Sequence, residues 1–368
     1  MTTEYYNPVK VIDSENWFES WHTIRKELGI NKPLVITFKE NVRRLELEKI
    51  CNPAGMFTAV VNNPSFTSCQ EAIDFSRSDS FDCVIAFGGG SVMDTAKAVM
   101  ASLGTGQFKL ADLLNIKQPF PHRIPAIFIP TTHGTSSEVT MWATIWNRQN
   151  KKKYSLMHLE LYPDIAILDG SLTLSLPPTI SLSTTLDALS HSFESIWNKN
   201  ANPQSTQYAI QAIGLILENV DGLKLDFANI QIRRKLLKAS NIAGLAFSNT
   251  KTAAAHSISY PLTSHYNIPH GIAASMPLLP LIEINQNAIE DQLWQIRTNL
   301  NLKDNSTLKD LIAAIPGDLI KFNLRDWGVT EGDLPKLVDY SFTKGRMDNN
   351  IVDLTADDVL WILNEIYN

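Results

Sequence analysis

Short, unbroken apolar runs separated by helical periodicities fill the first half of the chain. Leu34-Val35-Ile36-Thr37, Phe57-Thr58-Ala59-Val60-Val61, Cys83-Val84-Ile85-Ala86-Phe87, Ala126-Ile127-Phe128-Ile129 and Ile165-Ala166-Ile167-Leu168 each read as a strand with no polar face. Strands of that kind, with helices between them, predict a parallel sheet covered on both sides. Between the last two, Trp142 to Leu156 alternates around Asn147-Arg148-Gln149-Asn150, which predicts a hairpin. Leu176-Pro177-Pro178-Thr179 then breaks the pattern. Beyond it the periodicity is helical over 181–198, 204–220, 229–247, 252–260, 271–287 and 289–300, with no convincing strand after Leu168. Thr355 is placed to cap a final helix, with Asp357 and Asp358 in its first turn. A chain of 368 residues exceeds what one core accommodates. The pattern therefore predicts an α/β domain over residues 1–175 and an all-helical domain over 176–368.

Composition narrows the function classes. With 44% hydrophobic and 19% charged residues the core is ample, so no metal or disulfide is needed merely to fold. A net charge of −6 and a pI near 5.8 argue against a nucleic-acid surface. About 18 consecutive apolar residues occur nowhere, so no membrane span is expected. Three widely spaced cysteines, Cys51, Cys69 and Cys83, fit a reducing cytoplasm and disfavour a thiolate metal site. The first residues show no signal-peptide pattern, which again points to the cytoplasm.

Two stretches carry candidate chemistry. Asp187 and His191 stand four apart in a helical pattern and so share one helix face; His256 and His270 follow, the latter in Pro269-His270-Gly271. One carboxylate and three imidazoles suit Fe²⁺ or Zn²⁺ better than Mg²⁺ or Ca²⁺. A local cap and ordinary core histidines explain the same residues, and the residues alone leave both readings open. The second stretch, Gly88-Gly89-Gly90-Ser91, follows a strand and opens a helix. Three glycines let a backbone approach a phosphate and take positive φ, and the helix N-terminus favours an anion. Pro130-Thr131-Thr132-His133-Gly134-Thr135-Ser136-Ser137-Glu138 adds hydroxyls at another strand end, where ligands of open α/β sheets bind.

Together these motifs resemble the iron-containing (group III) alcohol dehydrogenase family. Gly-Gly-Gly-Ser-x-x-Asp-x-x-Lys matches Gly88 to Lys97. Pro-Thr-Thr-Ala-Gly-Thr-Gly-Ser-Glu matches Pro130 to Glu138, with His133 for Ala and Ser136 for Gly. Asp-Ala-x-x-His matches Asp187 to His191, and a segment ending in Pro-His-Gly matches His256 to Gly271. The resemblance implies a dehydroquinate-synthase-like fold with a dinucleotide-binding α/β domain and an all-α metal domain. It implies Asp187, His191, His256 and His270 as ligands of a divalent metal, Fe²⁺ foremost and Zn²⁺ next. Phe38, Gly88, Gly89, Gly90, Ser91, Asp94, Thr131, Thr132, Ser136, Lys153 and Leu172 would lie along NAD(P)H. The activity implied is a metal-dependent, NAD(P)-linked alcohol dehydrogenase or aldehyde reductase. A small-molecule aldehyde or alcohol would be its partner, and a homodimer or larger assembly its state.

Three features separate this chain from the general pattern. Tyr260 stands where the family usually carries a further histidine, so a proton relay would use its hydroxyl or water. Phe38 stands where many NAD-dependent members have an Asp, and Lys39, Arg43 and Arg44 follow. Without a carboxylate there, a 2′-phosphate is tolerated and NADPH is favoured. Lys251, five residues before His256, and Arg346 suggest a pocket for an anionic tail, although a solvated helix position explains Lys251 equally well. The run Lys-Thr-x-x-x-His-x-x-Ser-Tyr resembles the phosphonoacetaldehyde reductase branch, which makes 2-hydroxyethylphosphonate. A glycerol-type polyol dehydrogenase and, further off, a dehydroquinate-synthase-like lyase are the competing readings.

Overall fold

A computed structural model describes residues 4–147 and 152–368, apart from the side chain of Lys152. Most of the expected hairpin turn, and Lys151, lie outside the described residues. The chain forms two compact units. One comprises residues 7–132 and 136–173; the other comprises 4–6, 133–135 and everything from Leu174 on.

The first unit is built on β1 (Lys10–Asp13), β2 (Pro33–Thr37), β3 (Gly55–Phe57), β4 (Cys83–Gly88), β5 (Ala126–Pro130) and β8 (Ile165–Leu168). All pairs are parallel, in the order β1-β8-β5-β4-β2-β3. The apolar runs have no polar face because both faces are covered. Leu34, Ile36, Val84, Ala86 and Phe128 pack into one core, while Val35, Cys83, Ile85, Phe87, Ile127 and Ile129 pack into another. The chain leaves β2 toward β3 on one side and resumes with β4 on the other. The sheet therefore reverses direction between β2 and β4, the position at which open α/β sheets bind nucleotides. Thr37 pairs with Phe87 and Gly88 with Pro130, so the carboxyl ends of three strands lie level. β6 (Trp142–Asn147) and β7 (Lys152–Met157) form a separate antiparallel pair.

Two strand expectations need correction. β1 went unseen because an edge strand of four residues, exposed at both ends, carries little apolar signal. β3 ends at Phe57 rather than running to Val61. Past Phe57 the chain makes a single bridge from Ala59 to Phe38 and turns outward, leaving Val61 39% exposed.

The second unit is helical, and among the described residues no strand follows β8. Its main helices are Pro178–Ile196, Pro203–Leu225, Ile230–Thr250 and Ala254–Tyr266. The helix expected over 271–287 is interrupted: His270–Ser275 and Leu278–Asn285 are separate helices. Pro277 has no N–H to donate and its ring crowds the preceding turn, which breaks the run. Thr355 caps Ala356–Glu365, accepting from the Asp358 N–H in a reciprocal capping box.

The short 133–135 segment packs on the start of the Pro178–Ile196 helix. A Cβ on Gly134 would lie 2.6 Å from the Thr184 carbonyl oxygen, so only glycine allows this approach. His133 is fully buried, its Nδ1 3.3 Å from both the Thr184 and the Thr185 hydroxyl. Burial, aided by the Arg233 charge, lowers its pKa from 6.5 to about 3. Folding thus selects the neutral ring. The unfolded chain takes up a proton there that the folded chain refuses, so this group removes stability as pH falls from about 6.5 toward about 3. We expect His133→Ala to shrink the loss of urea-unfolding stability between pH 7 and pH 4.5. An acid-induced loss as large as the parent's would count against this account.

Candidate functional site

The Pro178–Ile196 helix is buried from Ser181 almost throughout, yet it carries Asp187, His191 and Glu194 at positions i, i+4 and i+7. That spacing puts all three on one face. Asp187 Oδ1 lies 3.7 Å from His256 Nε2 and 3.9 Å from His270 Nε2. The donor atoms of Asp187, His256 and His270 all fall within 4.8 Å of one another. These two separations are too long for hydrogen bonds. They do suit donors sharing one ion, since ligands bound at about 2.0–2.2 Å stand at most about 4.4 Å apart.

A second observation supports the same fit. Among the described residues, Asp187 Oδ1, His256 Nε2 and His191 Nδ1 are buried polar atoms without a hydrogen-bond partner. Such atoms are costly unless something else satisfies them. An oxygen and imidazole nitrogens together suit a borderline divalent ion such as Fe²⁺ or Zn²⁺. Three of the four expected ligands therefore converge. His191 is placed differently: its ring lies flat against His256, centroids 4.6 Å apart, and against Phe247 at 4.1 Å.

The electrostatics follow from charge buried in a small volume. Burial alone would raise the Asp187 pKa, but His191, His270 and His256 pull it below the usual carboxylate range. Burial would lower that of His256, but Glu194 and Asp187 raise it to about 10. Burial carries His191 down to about 4 against the pull of Asp187. His270 differs in access: its side chain is 30% exposed, against 4% for Asp187 and 3% for His256. Gly271 explains the Pro-His-Gly motif. A Cβ there would lie 2.2 Å from the Ser183 carbonyl oxygen and 3.1 Å from Asp187 Cβ, so glycine is what brings His270 up to the aspartate.

Glu194 was not among the residues expected from the sequence. It is fully buried, bonds His256 Nδ1 through Oε2 and accepts the Ala253 and His256 backbone N–H groups through Oε1. The third step of the Asp187-His191-Glu194 periodicity was the available signal.

In the sheet unit, Gly88 ends β4, Gly89 is the N-cap and Gly90 opens the Gly90–Thr105 helix. The expected positive φ is corrected: none of the three takes it. For the first two the reason is space. A Cβ on Gly88 would lie 2.5 Å from Val92 Cγ2, and one on Gly89 2.9 Å from Thr132 Cγ2. The positive φ appears at Ser136, at +52°, where the family motif has glycine. Ser91 Oγ accepts the Asn63 N–H, and the Thr131 N–H donates to Gly88 O, tying two strand ends together. Asp94 accepts from Ser137 Oγ and the Thr144 N–H. Lys97, fully buried, reaches Ser137 O, Ser137 Oγ, Thr140 Oγ1 and Trp142 O within 2.8–2.9 Å. These two motif residues bind the helix to the 137–144 segment.

Lys153 lies on β7, its Nζ 5.6 Å from the Trp146 ring centroid. Leu172 is buried in the core beneath the sheet. Phe38 begins the short helix after β2, with Lys39, Arg43 and Arg44 exposed beside it.

Lys251 ends the Ile230–Thr250 helix at φ 65°, ψ 179°, a region used almost only by glycine. Its carbonyl accepts from Asn198 Nδ2 and Thr250 Oγ1. Asn349 Nδ2 donates to both Thr252 O and Gly345 O, fastening the loop that carries Arg346 to the Lys251 segment. Arg346 Nε donates to the Tyr260 hydroxyl at 3.3 Å. Among the described residues no helix is long and apolar enough to cross a membrane.

Comparisons with known proteins agree with this geometry. The family model "Iron-containing alcohol dehydrogenase" matches residues 8–170, and "Fe-containing alcohol dehydrogenase family, C-terminal" matches 181–367. Long-chain-alcohol dehydrogenase 1 of Geobacillus thermodenitrificans (strain NG80-2) is 34% identical over 267 residues, 70% of this chain and 67% of its own length. Sulfoacetaldehyde reductase of Bilophila wadsworthia (strain 3_1_6) is 30% identical over 312 residues, 82% of this chain and 80% of its own length. The crystal structure of sulfoacetaldehyde reductase from Bifidobacterium kashiwanohense in complex with NAD+ matches with a TM-score of 0.92 at 30% identity, over 100% of this chain and 99% of that one. Matched across both halves, the chain belongs to the iron-containing alcohol dehydrogenase family.

Proposed function

We propose that this enzyme reduces a short aldehyde with an anionic tail, using NADPH, and that phosphonoacetaldehyde, giving 2-hydroxyethylphosphonate, is its substrate. Membership of the family makes it an oxidoreductase that interconverts alcohols and aldehydes. The substrate reading rests chiefly on one observation: a lysine held in backbone geometry that disfavours every residue but glycine. Such strain costs on the order of 1–3 kcal/mol, persists only where the surrounding structure enforces it, and clusters at active sites and ligand clamps. Arg346, fastened to the same segment through Asn349 and bonded to Tyr260, supplies a second cation. Two cations suit a phosphonate, which approaches a double negative charge near neutrality, better than a singly charged sulfonate. The two sulfoacetaldehyde reductases among the relatives support a charged two-carbon aldehyde in general.

Asp187, His256 and His270 would hold the metal, with His191 against them. When bound, the ion supplies Lewis acidity toward a carbonyl oxygen. NADPH supplies the hydride. The chain's own residues do the rest. The turn after β4 offers a helix N-terminus to the pyrophosphate. Lys251 and Arg346 hold the tail and so orient the aldehyde. Tyr260 offers a hydroxyl to the product oxygen, directly or through water, with Arg346 keeping that hydroxyl in place.

Steady-state assays with phosphonoacetaldehyde, sulfoacetaldehyde and propionaldehyde test the substrate. Lys251→Ala should lower kcat/KM for phosphonoacetaldehyde ten- to a hundredfold, the scale of one charge-assisted hydrogen bond, and leave propionaldehyde turnover as it was. Lys251→Gly should show the same loss while gaining about 1 kcal/mol of stability from the relieved backbone. Equal turnover of all three aldehydes by the parent enzyme would sink the anionic-tail reading.

For the metal centre, Gly271→Ala pushes His270 away from Asp187. It should cut bound Fe²⁺ or Zn²⁺, measured by elemental analysis after dialysis, and lower kcat/KM at least tenfold. Full metal content in this variant would refute the packing argument.

For the cofactor, the parent should show a lower KM for NADPH than for NADH. Phe38→Asp should reverse the order by placing a carboxylate where a 2′-phosphate would sit. A parent enzyme with a much lower KM for NADH would rule the NADPH preference out.

A further inference from the structure

We propose that Glu194 is a positioning residue for the metal centre: it holds His256 in the tautomer whose Nε2 is free to bind metal and, with the same carboxylate, caps the helix that carries His256. This inference rests on the reading of Asp187, His256 and His270 as ligands.

Glu194 lies two turns beyond Asp187 on the same helix face, and its side chain is completely buried. A carboxylate there must be fully bonded to be tolerated. It is: Oε1 accepts from Ala253 N at 2.9 Å and His256 N at 3.0 Å, and Oε2 meets His256 Nδ1. The Ala254–Tyr266 helix has no cap of its own, because Ala253 at its N-cap has no polar side chain. Glu194 satisfies its orphan N–H groups from another helix, 59 and 62 positions back along the chain.

The capping bonds and the ring bond constrain each other. An ionised carboxylate only accepts, so the ring must carry its proton on Nδ1. In the neutral ring the lone pair then falls on Nε2, the atom 3.7 Å from Asp187 Oδ1. Carboxylates that orient metal-bound histidines in this way raise the basicity of the ligand, and losing one typically costs ten- to a hundredfold in metal affinity.

A purely structural cap would make the same backbone bonds, so the test must separate the two roles. Glu194→Gln does so. Its amide oxygen can still accept both N–H groups, but its amide N–H₂ then faces His256 and selects the ring with the proton on Nε2. Zn²⁺ affinity would be measured by competition with a chromophoric chelator on metal-stripped enzyme, alongside the thermal midpoint without metal. We expect Glu194→Gln to weaken Zn²⁺ binding at least tenfold while its metal-free midpoint falls less than that of Glu194→Ala, because both backbone N–H groups keep an acceptor. Glu194→Ala should lose both affinity and midpoint. Parent and Glu194→Gln affinities within twofold of each other would overturn the inference and leave the ligand assignment standing. A parent enzyme that binds no stoichiometric Zn²⁺ would overturn the ligand assignment itself. Where Glu194→Gln fails to fold, ¹⁵N NMR of the Zn²⁺-loaded parent decides: Nδ1–H with ligated Nε2 supports the proposal, and ligated Nδ1 overturns it.

Discussion

Negative charge buried inside a helical core is the constraint around which this molecule is arranged. Asp187 and Glu194 both project from a helix that is buried almost throughout, and both side chains are almost wholly shielded from water. An unpaired buried carboxylate would cost several kcal/mol. The surroundings answer it locally. Glu194 is bonded by two backbone N–H groups and a ring. Asp187 is ringed by imidazoles and has an oxygen that no donor reaches among the described residues. The asymmetry between the two carboxylates is informative: the first is complete within the protein, and the second is complete only when a cation arrives. Gly134 and Gly271 serve the same arrangement, since each removes a side chain that would hold its segment away from the start of this helix.

Much of this could be read from the residues, and the parts that could not have physical reasons. Unbroken apolar runs marked β2, β4, β5 and β8 because a sheet covered on both faces leaves no polar positions to dilute them. The edge strand β1 escaped because one exposed edge removes that signal. Pro277 interrupts an otherwise helical run, and apolar periodicity, which counts faces and not N–H donors, carries no sign of the break. For the site, the i, i+4 relation placed Asp187 and His191 on one face, but no spacing rule tells whether a ring turns its nitrogen or its flat side toward a neighbour. His191 stacks on His256. Glu194 was hidden for another reason: its partners lie about sixty positions away, and only the packed helices bring them together.

The glycine-rich motif joins a strand to a helix as expected, but for a different physical cause. Its position after β4, beside the reversal of the sheet, suits a nucleotide. Gly88 and Gly89 stand where Val92 and Thr132 leave no room for a Cβ, and none of the three glycines turns the backbone left-handed. The acid and the lysine that complete the motif hold their helix to the segment after it. Lys97 alone gathers four oxygens in an interior site. A motif that invites a ligand-binding explanation throughout thus divides into positions that face outward and positions that keep the turn in shape.

The uneven exposure of the three converging donors sets an order of events. Asp187 and His256 are walled in, whereas nearly a third of the His270 side chain meets solvent. An ion bound by these three donors would meet His270 on the side open to solvent and Asp187 and His256 on the closed side. Any exchange of that ion with solvent would pass the His270 ring. The residence time of such an ion would then depend on how firmly one short helix, His270–Ser275, is seated by the glycine that follows its first residue.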